Sequence, residues 1–347
     1  MLPATMTAAV LYGPGDLRVE QRPVPAVGPS DVAVRVHTVG ICGTDLHYWD
    51  GWRFDSWLRN LDRPWILGHE FTGTVAATGD EVHQFAPGHE VVIDPWTACG
   101  ECRACARGLD NFCERKCWMD RGGAWAEYAV VSAHNVYPLP SGLDPAVASM
   151  VEPLACVLRG FDRIPACAGD AVFIAGAGPI GLLALQVAKR MGAARTFVSE
   201  PHPARRDVAT ELGVTQVLDP ARDDVRARVR AATRGFGADI AIEAAGANQA
   251  FQTCLDGVRD SGTLLVLSVG NPATRFEFRP FDLFAHELRI VGSNTRLHTF
   301  QRALDLLPTL DLEPLITHRF PLREAVAAVK TAKDGRGAKV VIECRAG

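Results

Sequence analysis

Gly176-Ala177-Gly178-Pro179-Ile180-Gly181 follows the apolar run Ala171–Ala175 and opens an apolar helical pattern that extends to Met191. Glycines at this spacing permit a tight turn and let a pyrophosphate approach the free N–H groups at the positive end of the helix. Pro179 fits the first helical turn, where the backbone needs no N–H donor. The motif alone is weak, but the strand before it and the helix after it predict a dinucleotide site in a βαβ unit. We therefore expect five residues to bind a cofactor: Gly176, Gly178, Pro179, Ile180 and Gly181.

Around this motif the chain alternates between strand and helix patterns. Six short apolar runs lie between Gly169 and Ser293: Ala171–Ala175, Thr196–Ser199, Gln216–Leu218, Ile240–Glu243, Leu264–Val269 and Leu288–Val291. Helical patterns separate most of them, which predicts a doubly wound parallel sheet. The first ~150 residues instead contain short β segments punctuated by glycine and proline. The predicted fold class is therefore α/β, with a β-rich part beside the doubly wound parallel sheet.

The acidic residue Glu200 favours NAD over its 2′-phosphorylated form, NADP. Glu200 ends the apolar run Phe197–Ser199 at about the spacing expected for a ribose ligand. A carboxylate there can accept from both ribose hydroxyls and would repel a 2′-phosphate, so NAD is favoured over NADP. Arg205 and Arg206 keep the alternative open, because an arginine near this position can accommodate a 2′-phosphate. We also expect Arg205 and Val269 at the cofactor.

Length and charge limit the possible partners. The 347 residues make two domains a reasonable expectation. The net charge is −4 without a long run of one sign, so we expect no nucleic-acid partner. The longest apolar stretch, Ala171–Ala188, is broken by glycines and a proline, which argues against a membrane span. The N-terminus lacks the pattern of a secretory signal, and we expect a cytoplasmic protein.

Four cysteines crowd into one short segment with the spacing Cys-x2-Cys-x2-Cys-x7-Cys: Cys99, Cys102, Cys105 and Cys113. Four thiolates saturate a tetrahedral zinc ion and leave no position for a substrate. The segment therefore predicts a structural zinc site. The alternative is four free thiols, which would be liable to oxidation.

A second set of candidate metal ligands is dispersed along the chain. It comprises Cys42, the adjacent His69 and Glu70, and Glu152. A thiolate, an imidazole and a carboxylate could hold zinc and leave one position for water or an alcohol. Each residue alone has an ordinary structural explanation, and the spacing does not show that the segments meet in space.

Five motifs together resemble one superfamily: C-G-T-D at 42–45, G-H-E-F-T-G-T-V at 68–75, the four-cysteine loop, E-P-L at 152–154 and G-A-G-P-I-G at 176–181. Across essentially its whole length the chain resembles the zinc-containing medium-chain dehydrogenases/reductases of the alcohol dehydrogenase superfamily. The resemblance implies a GroES-like catalytic domain at 1–154 and 296–347 with both zinc sites, and a Rossmann NAD-binding domain at 155–295. It also implies two Zn²⁺ ions per chain, NAD as cofactor, and a homodimer or homotetramer.

The same resemblance implies roles for single residues. Cys42 and His69 match the catalytic zinc ligands, and Glu70 matches a carboxylate that can ligate zinc directly or step back. Glu152 stands where many relatives have a further ligand, which can reach zinc through water.

Two more residues on the first motif match parts of a proton path. Thr44 matches a hydroxyl that contacts the reacting oxygen, and His47 matches a histidine that passes the proton to solvent. The resemblance thus implies Thr44, His47 and Glu70 as catalytic residues.

The substrate class follows from shorter similarities. Cys42–Trp49 resembles both sorbitol-type polyol dehydrogenases and threonine 3-dehydrogenases. Val151–Leu154 and Val198–Pro201 favour the polyol and vicinal-diol branch, and Pro280–Phe284 and Leu288–Ser293 resemble bacterial polyol and cyclitol members. The resemblance implies reversible oxidation of a secondary alcohol of a polyol, cyclitol or vicinal diol to a ketone, with hydride transfer to NAD. L-threonine 3-dehydrogenase is the alternative, and a non-catalytic zinc- and nucleotide-binding relative is a third.

An aromatic-rich stretch, 48–57, is slightly longer than in sorbitol dehydrogenases. We expect Tyr48, Trp52 or Trp57 to form a wall against a sugar or ring face of the small-molecule substrate. The alternative is that these aromatic residues anchor a surface loop or a subunit contact. Arg296 is a further candidate for contact with the substrate.

Overall fold

The computed structural model describes residues 1–52, 64–119 and 122–345. The chain forms two compact units. The first unit comprises Met1–Glu152, Ile316–Asp334 and Lys339–Gly347, and the second comprises Pro153–Leu315 and Gly335–Ala338. Within the described residues, no helix combines the length and the apolar character needed to cross a bilayer.

The strands, in chain order, are β1 (Thr5–Gly13), β2 (Asp16–Pro23), β3 (Asp31–Gly40), β4 (Trp65–Ile66), β5 (Glu70–Thr78), β6 (Glu90–Ile93), β7 (Trp96–Thr97), β8 (Cys117–Trp118), β9 (Tyr128–Ser132), β10 (Val136–Pro138), β11 (Ala171–Ala175), β12 (Arg195–Ser199), β13 (Gln216–Leu218), β14 (Ala238–Glu243), β15 (Val258–Val266), β16 (Arg289–Gly292), β17 (Ile316–Pro321) and β18 (Lys339–Glu343). The helices are α1 (Gly43–Trp49), α2 (Pro145–Ala148), α3 (Val151–Phe161), α4 (Pro179–Arg190), α5 (Pro203–Glu211), α6 (Val225–Ala232), α7 (Asn248–Gly257), α8 (Pro280–Ala285), α9 (Phe300–Leu306) and α10 (Ala325–Lys333).

The first unit is built mainly on antiparallel strands. Its largest sheet has the order β10-β6-β5-β3-β18-β17, and β9 also pairs with β3. The strand β3 is rich in valine and almost entirely buried, which suits a central position. The C-terminal strand β18 pairs antiparallel with β3, with Ile342 opposite Val39. Both ends of the chain therefore contribute to one sheet, whose core includes the fully buried Phe71 and Trp125.

The second unit contains the doubly wound sheet that the glycine motif predicted. Six parallel strands have the order β13-β12-β11-β14-β15-β16. Numbered from β11, this is the 3-2-1-4-5-6 order of dinucleotide-binding sheets, whose direction of winding reverses between β11 and β14. The predicted α/β fold class with a doubly wound parallel sheet is confirmed. Ligands of such sheets bind beyond the carboxyl ends of the strands at this reversal.

Residues 296–315 belong to the second compact unit. Two contacts join the start of α9 to α3 and the residue that follows α3: Thr299 Oγ1, just before α9, donates to the carbonyl of Ala155 at 2.7 Å, and Arg302 pairs with Asp162 at 2.6 Å. The domain bounds expected from the sequence, 1–154 with 296–347 and 155–295, group these residues with the first domain. These expected domain bounds stay a prediction.

Candidate functional site

Strand pairing brings three of the dispersed ligands together. Gly40 at the end of β3 lies opposite Glu70 at the start of β5, so Cys42 and His69 flank the same point of the sheet. The ligand atoms of Cys42, His69 and Glu70 all lie within 4.8 Å of one another. A Cβ on Gly40 would collide with the Glu70 carboxylate, so a side chain at this position would displace Glu70. A thiol, an imidazole and a carboxylate are donors that zinc prefers, and these residues fit a zinc ion.

Asp45 holds this group of ligands in place. Its fully buried carboxylate accepts from the backbone N–H of Cys42 at 2.9 Å and of Gly68 at 3.2 Å. Its Oδ1 also lies 3.4 Å from His69 Nδ1. A carboxylate behind a ligating histidine fixes the orientation of the ring and is a common partner in zinc sites. Asp45 belongs to the C-G-T-D motif, but no role for it was predicted from the sequence. Its place three residues after Cys42, at the start of α1, was the available signal.

The surroundings shift the pKa values of two ligands. Desolvation, followed by the charge of Glu70, raises the pKa of the Cys42 thiol. Burial lowers the pKa of His69, but Asp45 and Cys42 outweigh burial and raise that pKa well above its ordinary value. Protons must leave both groups before they bind a metal, so metal binding here is coupled to pH.

Glu70 has a second partner that the sequence analysis missed. Lys339 forms an ion pair with Glu70 Oε2, and its Nζ also donates to the carbonyl of Ile41 at 3.2 Å. The two charges are buried together, which compensates part of the cost of removing each from water. No spacing rule could have found this pair, because 269 positions separate its members.

The other predicted catalytic residues lie on two helices. Thr44 and His47 are on α1 and are half-buried, and the His47 ring stacks on Trp52 with centroids 4.0 Å apart. Burial lowers the pKa of His47. Glu152 is half-buried in the first turn of α3 and is not part of the three-residue ligand group found among the described residues. The predicted roles of Thr44, His47 and Glu152 stay predictions.

The residues expected at the substrate are scattered. Tyr48 is buried in the core of the first unit, and Trp52 contacts His47. Trp57 lies outside the described residues. Arg296 is buried in the second unit. Their contacts with a substrate stay predictions.

The four-cysteine segment forms a second group of residues that could hold a metal ion. The sulfur atoms of Cys99, Cys102, Cys105 and Cys113 all lie within 4.8 Å of one another. Cys105 Sγ is 3.5 Å from that of Cys102 and 3.9 Å from that of Cys99. Backbone N–H groups, first that of Glu101, lower the pKa of Cys99 to about 6, which favours the thiolate that a metal requires. Four soft donors at this spacing fit a closed tetrahedral zinc site.

The glycine motif lies where the fold places a dinucleotide. Gly176 has a φ of 106°, which a residue with a side chain rarely adopts. A Cβ on Gly181 would collide with the carbonyl of Gly176, so the first helical turn can approach the preceding loop only with glycine there. Pro179 is the first residue of α4, as predicted from its fixed φ.

A cavity of about 320 Å³ in the second unit adjoins this motif. Four of the predicted cofactor residues line it: Gly176, Gly178, Glu200 and Arg205. Pro179, Ile180 and Gly181 belong to the adjacent helix α4. Val269 is 37% exposed just after β15 and is not among the lining residues.

Glu200 is buried and already held by local donors. Its carboxylate accepts from the backbone N–H of Ala177 at 2.8 Å and of His202 at 2.9 Å, and lies 2.6 Å from the His202 ring nitrogen. Arg205 donates to the carbonyl of Gly337 at 2.9 Å. Arg206 donates to the Glu200 carbonyl at 2.7 Å and pairs with Asp219 at 3.2 Å. Of the two arginines, only Arg205 lines the cavity.

Comparisons with known proteins agree with this geometry. The alcohol dehydrogenase GroES-like domain matches residues 28–141, and the zinc-binding dehydrogenase family matches residues 179–309. Sorbitol dehydrogenase of Rattus norvegicus is 34% identical over 351 residues, covering 96% of this chain and 95% of the relative.

Solved structures are similar to this chain over almost its whole length. A zinc-binding dehydrogenase from Sinorhizobium meliloti 1021, crystallised with NADP, has a TM-score of 0.91 at 33% identity, covering 99% of this chain and 100% of that chain. The 2R,3R-butanediol dehydrogenase of Bacillus subtilis has a TM-score of 0.87 at 27% identity, covering 98% and 100%. These matches confirm the superfamily that the sequence motifs indicated. The chain belongs to the zinc-binding dehydrogenases with an alcohol dehydrogenase GroES-like domain.

Proposed function

We propose that the protein is a zinc-dependent dehydrogenase that oxidises a secondary alcohol of a polyol, cyclitol or vicinal diol to a ketone and passes the hydride to NAD. The convergence of Cys42, His69 and Glu70 carries this proposal. The three residues offer different donor types, and the Glu70 carboxylate can pair with Lys339 instead of a metal. Such a set can open a position for substrate, whereas the four-cysteine group cannot.

The residues of the chain have separate tasks in this reaction. Cys42 and His69 would hold a zinc ion together with Glu70 or Glu152, and the chemistry that zinc supplies is Lewis acidity toward the substrate oxygen. Asp45 orients His69 and the backbone of Cys42.

Thr44 and His47 would move the proton. The Thr44 hydroxyl would accept the proton of the alcohol while it gives up its own proton, and His47 would take up the released proton and pass it toward solvent. Both lie on α1, which begins directly after Cys42, so the proton path would start beside the metal ligand.

The cofactor would bind in the cavity beside the glycine motif. Its diphosphate would lie on the N-terminus of α4, and Glu200 would accept from the ribose hydroxyls. The burial of Glu200 and its position in the cavity wall support NAD as the preferred cofactor. Arg205 lines the same cavity and supports measurable use of NADP.

The substrate class rests on the relatives. The names of two of them state sorbitol and 2R,3R-butanediol as substrates, and both compounds carry neighbouring secondary hydroxyl groups. A screen of sorbitol, arabinitol, inositols, 2,3-butanediol and L-threonine with NAD and with NADP tests the proposal by NADH or NADPH formation. Oxidation of L-threonine alone would replace the polyol assignment, and turnover that survives complete removal of zinc would contradict the proposed mechanism.

A homodimer or homotetramer is part of the proposal. The strand β16 is an edge of the parallel sheet, and the nearby Phe281 and Phe284 of α8 are 66% and 80% exposed. Exposed apolar groups and an edge strand both support association with another copy of the chain. Light scattering during size-exclusion chromatography measures the mass directly. The cytoplasmic location stays a prediction.

A further inference from the structure

One buried carboxylate in the second unit has no role in the function described so far. Glu243 is the last residue of β14, and its side chain is 2% exposed. A buried charge without hydrogen-bond donors is costly, so its partners define its task. We propose that Glu243 is a positioning residue that pre-forms the dinucleotide crevice by fixing two loops at the carboxyl edge of the sheet.

The Glu243 carboxylate accepts hydrogen bonds from both loops. Its Oε1 accepts from the backbone N–H of Ala245 at 2.8 Å and of Gly246 at 2.7 Å, in the turn between β14 and α7. Its Oε2 accepts from the Ser268 hydroxyl, in the segment that follows β15. The carbonyl of Glu243 also accepts from the backbone N–H of Leu267 at 2.9 Å. One residue therefore ties together the ends of two adjacent strands.

The turn that Glu243 holds packs directly on the glycine loop. The backbone N–H of Ala244 donates to the carbonyl of Ala175 at 3.0 Å. A Cβ on Gly176 would lie 3.1 Å from the Ala245 Cβ, so these two loops are already in close contact. A shift of the turn would therefore be transmitted to the loop that receives the diphosphate.

The same turn forms part of the cofactor cavity. Ala244, Ala245 and Ala247 line it together with Gly176 and Gly178. These side chains are small and carry no polar atoms, so their contribution to binding is the position of their backbone. Fixing that backbone before the ligand arrives removes an ordering cost from binding.

The hydrogen-bond donors around residue 243 favour a carboxylate over an amide or an apolar side chain. Two N–H groups and one O–H group point at the two oxygens, and an ionised Glu side chain only accepts. An amide has one oxygen, so Glu243→Gln leaves an NH2 group facing one of the donor sites. Alanine removes both side-chain oxygens and leaves the backbone N–H groups of Ala245 and Gly246 without this protein acceptor.

This inference rests on the proposed NAD site, and the test uses ADP-ribose so that binding is measured without turnover. Calorimetry of the zinc-loaded protein should show the Kd for ADP-ribose rising about tenfold in Glu243→Ala and about threefold in Glu243→Gln and Ser268→Ala. Hydrogen exchange of the 244–246 amides should accelerate in all three variants. The KM for NAD should rise in parallel with the Kd for ADP-ribose, while kcat at saturating NAD should change by less than about twofold.

Asp239 provides a matched control on the same strand. It lies at the opposite end of β14 and accepts from Ala171 N at 2.8 Å and Arg259 Nε at 2.6 Å. Asp239→Asn should lower thermal stability while the Kd for ADP-ribose stays within about twofold of the wild type. An increase in Kd equal to that of Glu243→Gln would show that general destabilisation is the cause, and would overturn the inference.

The milder variants keep the test valid if Glu243→Ala does not fold. Wild-type affinity for ADP-ribose in both Glu243→Gln and Ser268→Ala, with unchanged exchange of the 244–246 amides, would overturn the positioning role alone. A wild-type protein that binds neither ADP-ribose nor NADH would overturn the proposed function and this inference with it.

Discussion

Lys339 and Glu70 form an ion pair in which each side chain is 1% exposed. Glu70 is at the same time one of three converging residues that could hold a metal ion. Its carboxylate can therefore compensate the charge of the lysine or bind a zinc ion, and a change in one interaction alters the other. The resemblance implied a glutamate that ligates zinc or steps back, and Lys339 is the partner toward which it would step.

Substitution of Lys339 by methionine should destabilise the zinc-free protein. The uncompensated Glu70 carboxylate would remain buried, and loss of one member of such a pair costs roughly 3 kcal/mol. A bound zinc ion would compensate the carboxylate, so we expect a smaller loss in the zinc-loaded protein. Urea unfolding with and without zinc measures the difference. Equal losses under both conditions would contradict a shared role of Glu70.

Lys333→Met is the matched control for this experiment. Lys333 pairs with Asp50, but both side chains are substantially exposed. Exposed pairs contribute less than about 1 kcal/mol, so we expect little change in stability with or without zinc.

The two metal groups should respond differently to loss of one cysteine. Cys42→Ser should lower kcat at least about a hundredfold, because this ligand serves the reaction, and should lower the melting temperature less than Cys105→Ser does. Cys105→Ser should lower the melting temperature, because its zinc stabilises the segment. Metal analysis should find one zinc ion fewer per chain in each variant than in the wild type. Full activity of Cys42→Ser would contradict the assignment of the reactive site.

Local patterns predicted the fold and the grouping of the four cysteines, because the causes of both are local. Cys99 and Cys113 lie in one short segment with the other two cysteines, and the alternation of apolar runs with helical patterns predicted all six parallel strands. The group of Cys42, His69 and Glu70 was harder to predict, since Cys42 and His69 meet only through the pairing of β3 with β5. The resemblance supplied that juxtaposition.

Three supporting residues were missed for the same physical reason. Asp45, Lys339 and Glu243 act through contacts with backbone or charges on other elements. Each is an ordinary polar residue in its own segment, and only the folded chain shows which donor or charge it faces. The contact of Trp52 with the His47 ring was not predicted, because spacing gives no direction for a side chain outside regular structure.

Glu200 should control the choice between the two dinucleotides. Glu200→Ala removes a carboxylate that would repel a 2′-phosphate and leaves Arg205 in the cavity wall. We expect the ratio of kcat/KM for NAD to that for NADP to fall about tenfold or more. Arg206→Ala is the control, because Arg206 is engaged by Asp219 and does not line the cavity. An unchanged ratio in Glu200→Ala, or an equal fall in Arg206→Ala, would contradict the assignment.

His37 should make the protein less stable in acid. Burial, with contributions from Arg345 and Arg35 and against that of Glu90, lowers the pKa of His37 to about 4 from an ordinary value of 6.5. Between these values the unfolded chain binds a proton that the folded chain excludes, so stability falls as the pH decreases from about 6.5 to about 4. This residue should account for roughly 2 kcal/mol of the stability lost between about pH 7.5 and about pH 5.

The variant His37→Gln lacks this titration and can still hydrogen-bond to Thr74, whose Oγ1 lies 2.7 Å from His37 Nε2. Its free energy of unfolding should therefore decrease less than that of the wild type between the two pH values. The difference between the two proteins at each pH cancels the contribution of the metal ligands, which titrate in both. His83→Gln makes the same substitution at an exposed position and controls for the loss of one imidazole. If wild type and His37→Gln lost the same stability over this interval, the buried imidazole would not be the acid-sensitive group, and the carboxylates of the first unit would have to account for the whole effect.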